Sequence, residues 1–219
     1  MIRHSESKAV LFGWDSLKFG QKAPLRSAIE PRMFSRHLSQ IVLFEKSGPD
    51  AKIRLAGTAM CNWFERELKG CEFGSLWTRG ARISIQAALA RTMTLVQPMV
   101  IESLAETEEG QHIGVEILLL PLLDARGQAT MVLGYFQPLD PIARLWGKPV
   151  QALRFLGMSE AGLDTAGAPA TQTPARGKAV SEVPARPNLR LVVSNPLPAA
   201  AAPKDLFPVR PRAALDLVD

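Results

Sequence analysis

Residues 53–77 read IRLAGTAMCNWFERELKGCEFGSLW, a passage from strand to short helix to glycine-punctuated loop. Ile53 and Leu55 are apolar while Lys52 and Arg54 are polar, the two-residue period of a half-buried strand. Gly57 and Thr58 break that strand, the first as a residue that tolerates positive φ and the second as a hydroxyl able to cap a helix. Met60, Phe64 and Leu68 then recur every four residues with Trp63 beside them, and Gly70 is the expected helix terminator. The passage builds a scaffold without offering a catalytic group.

Upstream, Val10, Leu11, Trp14 and Leu17 give one apolar face over residues 8–19, which predicts a helix ahead of the sheet. Pro31 suits the first position of a second helix, because its missing N–H has no intrahelical partner there anyway. Phe34, Leu38 and Ile41 carry its inward stripe into a first strand at 41–44. Ser47-Gly48-Pro49-Asp50 is a turn, and 52–56 the second strand.

Downstream, Ile85, Leu89, Met93 and Val96 specify a long helix over 82–96, stopped by Pro98. Three strands follow at 99–107, 112–122 and 129–137. Glu108-Glu109-Gly110 and Asp124-Ala125-Arg126-Gly127 join them as hairpin turns, the second with glycine at the left-handed position. Two strands, a helical stretch and three antiparallel strands make an α+β fold: one five-stranded antiparallel sheet with helices on one face and an N-terminal flanking helix. The expected division is 1–28 helix and loop, 29–147 the sheet domain, 148–160 a short connecting segment and 161–219 a tail.

Composition draws the last boundary. Nine of the seventeen prolines follow residue 160, within an Ala/Pro-rich stretch of no sustained periodicity, so 161–219 is expected to be disordered. Leu189-Arg190-Leu191-Val192-Val193 is a β-prone island in it, of the kind that docks by strand addition or arises by chance. Seven Lys/Arg against five Asp/Glu lie in that tail, which leaves about +3 of the net +5 on the preceding block. Charge of both signs is mixed through each part, with no Lys/Arg run of the length that tracks phosphates, so no nucleic-acid partner is expected. No stretch approaches the roughly 18 apolar residues that span a bilayer, and the first residues lack a signal-peptide core. A cytoplasmic protein without a membrane span is the expectation, and two cysteines, Cys61 and Cys71, are too few for a disulfide framework.

The order Arg54, Ala56, Gly57, Thr58, then Glu67, Leu68, Gly70, then Leu76-Trp77 resembles a PAS domain, more narrowly a bacterial family of short, free-standing PAS-type proteins. Trp14, Pro24, Arg26 and Pro31 agree with the same family, so the likeness covers roughly residues 8–147. Glu65 departs from it, standing where the family's pattern has glycine before the Arg-Glu-Leu run. The resemblance implies a sensory or regulatory module whose ligand cavity lies near Trp63, Phe64, Phe73 and Trp77. A pocket lined by these aromatics suits a small apolar or planar ligand, with Arg54, Thr58 and Asn62 as its polar groups. Aromatics at such positions are more often core filler.

Specific chemistries find little support. None of His4, His37 and His112 lies on the helix that would close a haem pocket, and neither cysteine has the Asn-Cys-Arg-Phe context of flavin photochemistry. Cys61 and Cys71 have no second CxxC or His pair for zinc. Glu102, Glu106, Glu108 and Glu109 read as a solvated acidic edge, and no P-loop, Rossmann, G-x-S-x-G or H-E-x-x-H pattern occurs. The cofactor is therefore left unknown and no enzyme is expected. Two functions remain: a PAS module that senses a small molecule or docks on a signalling partner without its own output domain, and a dimerisation adaptor with a filled core. The apolar face of Leu11, Trp14 and Leu17 is expected to pack against the sheet or against a partner subunit, with a homodimer the favoured assembly.

Overall fold

The computed structural model describes residues 1–145 and 147–162. The tail with its Leu189–Val193 island lies outside the described residues, as does Trp146. The elements are α1 (Ser5–Asp15), β1 (Ile41–Ser47), β2 (Asp50–Ala56), α2 (Thr58–Phe64), α3 (Arg82–Thr94), β3 (Met99–Thr107), β4 (His112–Leu123), β5 (Ala129–Pro138) and β6 (Val150–Glu160), with short 3-10 turns between them. The strands form one antiparallel sheet in the order β2-β1-β5-β4-β3-β6.

Two expectations about the sheet are corrected. Among the described residues it has six strands, because residues 150–160, expected to connect, pair with β3 from Thr107↔Val150 to Met99↔Glu160. Gly157 and two register shifts weaken the alternation there, and pairing with the neighbouring strand supplies what the local pattern lacks. Helices also cover both faces. On the inner face α2 and α3 pack over Val42, Phe44, Ile53, Ile101, Ile113, Val115, Ile117 and Phe136. On the outer face α1 packs over Val100, Leu118, Leu120, Leu122, Leu133 and Tyr135.

Strand β4 explains why. Instead of alternating with polar residues, Ile117-Leu118-Leu119-Leu120 is apolar without a break and fully buried. A strand of that kind needs a layer on each side. Helix α1 supplies the second one: Trp14 is completely buried and its indole Nε1–H donates to the Pro121 carbonyl at 3.0 Å, while Lys18 Nζ lies 4.6 Å from the ring centroid. The entry to α1 is held by the buried carboxylate of Glu116, which accepts from the N–H groups of Arg3 (2.6 Å) and His4 (3.2 Å). Leu11 and Trp14 are thus spent on the chain's own sheet, which removes the physical ground for a homodimer contact through them.

Local corrections have local causes. The helix expected from Pro31 is only a 3-10 turn, Pro31–Phe34, followed by another at Leu38–Gln40. Phe34 still reaches the outer core, so its apolar side chain reflects burial and not helical periodicity. Gly57 has φ −67 and is needed for space, not for positive φ: a Cβ there would collide with the Leu38 and Ser39 carbonyl oxygens. Thr58 is the first helical residue and makes no capping bond. At the other end, α2 stops at Phe64, well before Gly70, the expected terminator. The residue that turns the chain is Glu65, at φ 47 and ψ 34.

Replacing Trp14 by Ala should destabilise the protein by about 3–5 kcal/mol, the usual cost of deleting a buried Trp or Phe. Urea unfolding followed by circular dichroism would measure it, and a loss below about 1 kcal/mol would contradict the packing of α1. By the same measurement Gly57→Ala should also destabilise, by more than about 1 kcal/mol, because the obstacle is backbone that cannot rotate away.

Candidate functional site

The space between the inner sheet face and the helices is occupied by the chain's own rings. Phe73 lies 4.5 Å from Phe44, 5.6 Å from Trp77 and 6.4 Å from Phe136 between ring centroids, the last two edge to face. Gly134 lets Phe44 lie flat on β5, since a Cβ there would overlap that ring. Asp50 fastens the assembly: it is buried at the start of β2 and accepts from the N–H groups of Ala51 (2.7 Å) and Gly74 (3.1 Å), tying the Phe73–Leu76 turn to the sheet. Phe73 is a core residue in this arrangement, and Trp77, also buried, lines a separate concavity with Gly74, Ser75, Arg79 and Arg82.

Asn62 and Trp63 come together elsewhere. They line a cleft of about 300 Å³ between α2 and the segment that leads into β6, with Ala59 and Glu65 on the α2 side and Ile142, Leu145, Gly147 and Lys148 opposite. Its walls are mainly apolar, with Trp63 buried and Asn62 exposed. The other expected polar groups stand apart. Arg54 is an exposed residue at a bulge in β2, where Leu43↔Leu55 and Phe44↔Ile53 leave it out of the ladder, and it forms an ion pair with Glu45. Thr58 is exposed at the start of α2 and does not line the cleft.

Ile142, Leu145 and Lys148 were not singled out by sequence reasoning. Their signal was an apolar pair three residues apart after Asp140-Pro141, a short helical turn that the structure places at Ile142–Leu145. Asp140 anchors that turn, its Oδ2 accepting from the Gly114 N–H at 2.8 Å and its Oδ1 from Arg144 at 3.3 Å. Lys148 pairs with Glu109 at 2.8 Å. The Arg66 guanidinium lies 5.9 Å from the Phe64 ring centroid. Glu65 has no ion-pair partner among the described residues. Among the described residues, no group of three His, Cys, Asp or Glu side chains is placed to hold a metal ion, and no helix is long and apolar enough to cross a membrane.

A second polar group of residues sits on the outer face. His37 Nε2 and Glu6 Oε2 are 2.6 Å apart, and this hydrogen bond holds the Glu6 carboxyl below its ordinary range. Tyr135, edge-on to His37 at 5.4 Å, shares its hydroxyl with Gln137 and Gln40, and burial pushes its ionisation well above the usual phenol value. These groups fasten α1 and the 37–40 turn to the sheet.

A family model described as a PAS domain matches residues 2–137, a span that runs from the start of α1 through β5. The chain belongs to this PAS family. No curated protein matches it. Among solved structures, the PAS domain is similar to the dark structure of the blue-light photoreceptor Aureochrome1 LOV, at 13% identity and TM-score 0.40 over 67% of this chain and 91% of that one. A Rhodobacter sphaeroides LOV protein is similar at 12% identity and TM-score 0.40, over 53% of this chain and 72% of that one. An RNA-binding light-oxygen-voltage receptor is similar at 18% identity and TM-score 0.39, over 54% of this chain and 35% of that one.

Glu65, the departure from the family's glycine, occupies a left-handed position that glycine would fill without steric penalty. Glu65→Gly should therefore stabilise the PAS domain, by about 0.5–1 kcal/mol once a left-handed penalty of ~1–2 kcal/mol is offset by the greater entropy of unfolded glycine. An unfolding midpoint that falls in this variant would contradict the strain.

Proposed function

We propose that this PAS domain is a non-enzymatic regulatory module that binds a small molecule in the cleft between α2 and the wall formed by Ile142, Leu145, Gly147 and Lys148, and reports it to a signalling partner. The observation that carries this reading is the convergence of Trp63 and Asn62 on a cleft of about 300 Å³ while the inner layer is filled by Phe44, Phe73, Phe136 and Trp77. An apolar concavity with a few polar groups is the usual form of a small-molecule site. Its far wall continues directly into β6, and Leu145 and Val150 at the two ends of that connection belong to the inner core. A ligand that favours one placement of this wall would bias how β6 lies on β3, and differential affinity for the two placements is all that a population shift requires.

The packed aromatic layer supports a second reading, an adaptor that acts through its surface with no ligand at all. Native mass spectrometry of the protein purified from its own cells separates them. The module reading expects a retained small-molecule mass in the wild type that falls at least tenfold in Asn62→Trp, a substitution at an exposed position that fills the cleft. Ligand-free spectra for both proteins would support the adaptor.

A further inference from the structure

We infer that the cleft beside α2 is selective for an organic ammonium ion carrying a planar apolar body, with Glu65 as its counter-charge; the inference rests on the ligand-binding reading above and names the ligand class. The charges around the cleft are unequal in what they leave free. Lys148 is engaged by Glu109 at 2.8 Å, Arg144 by Asp140 at 3.3 Å, and the Arg66 guanidinium lies by the Phe64 ring. Glu65 lines the cleft with no cation within ion-pair distance among the described residues. Among the described residues the Glu65 carboxylate is thus left without an ion-pair partner.

Glu65 also holds a conformation that costs the protein stability. Its φ of 47 is one of three positive values among the described non-glycine residues, the others being at Phe19 and Val96. Strain of this kind persists where the surrounding structure uses the residue, and here it places a carboxylate one residue beyond the end of α2, on the rim of the cleft. The neighbouring walls suit the same ligand. Trp63 is an indole, the aromatic ring on which a cation binds best, while Ile142, Leu145 and Ala59 accept an apolar body. Asn62 adds an amide oxygen that can accept from an ammonium N–H. An anionic ligand would meet the Glu65 carboxylate, while Lys148 is paired with Glu109.

The test uses the full chain and three probes of similar shape: phenethylammonium, 2-phenylethanol and 3-phenylpropionate. Each is titrated while the backbone amide resonances of residues 59–66 and 142–148 are followed by NMR. Phenethylammonium should shift both segments and bind at least tenfold tighter than the alcohol, with phenylpropionate weakest. Glu65→Gln, which keeps the backbone conformation and removes the charge, should bring the ammonium and the alcohol within about twofold, and Glu65→Gly should do the same while raising the unfolding midpoint. Equal or tighter binding of the alcohol or the carboxylate by the wild type would overturn the ligand class and leave the cleft as a binding site. Shifts confined to other parts of the protein, or no shift with any probe, would overturn the site itself. A preference for the ammonium that survives in Glu65→Gln would remove Glu65 from the recognition and overturn the inference.

Discussion

Strand β4 is apolar on both faces, and the rest of the fold is arranged to keep both of them dry. Ile113, Val115, Ile117 and Leu119 face α2 and α3, while Leu118, Leu120 and Leu122 face the other way. Burying such side chains is worth roughly 1.5–3 kcal/mol each, so leaving either row in water would consume much of a domain's net stability of about 5–15 kcal/mol. The inner face is closed by segments from the middle of the chain. The outer face depends on α1, which lies more than a hundred residues away in sequence and is secured at one end by Glu116 and at the other by the Trp14–Pro121 hydrogen bond.

Closing both faces leaves little interior for a ligand. Phe44, Phe73, Phe136 and Trp77 meet between sheet and helices at ring-centroid distances of 4.5–6.4 Å and occupy much of the inner layer. The cleft that Trp63 and Asn62 line lies at the rim, where the seven-residue helix α2 ends at Glu65 and the turn before β6 begins. Both walls are short, and Asp140 anchors the far one through Gly114 and Arg144. Short peripheral segments of that kind open at lower free energy than central strands.

The strand boundaries at 99–107, 112–123 and 129–138 were almost fully legible, because turn glycines at 110 and 127 mark the hairpins and the apolar runs between them are long. Helix α3 was legible from its four-residue spacing. The six-stranded count was not, since β6 carries Arg154, Gly157 and Ser159 among its apolar residues and becomes a strand by pairing along β3. The stripe Met60, Phe64, Leu68 suggested one continuous helix, yet all three are buried while the helix ends at Phe64: the spacing recorded burial, and the backbone reached it by another path.

At the candidate site, Trp63 and Asn62 were legible as members of a cleft, and Glu65 was visible as a departure from a familial glycine. The sequence by itself determined the strand and helix periods, the hairpins and the family, because these depend on neighbours within a few residues. Only the tertiary structure decided that Phe73 fills the core while Trp63 lines a cleft, that α1 covers the second face of the sheet, and that Glu65 borders the same cleft as Ile142, Leu145 and Lys148. Those outcomes depend on contacts between residues far apart along the chain, and no local pattern carries that distance.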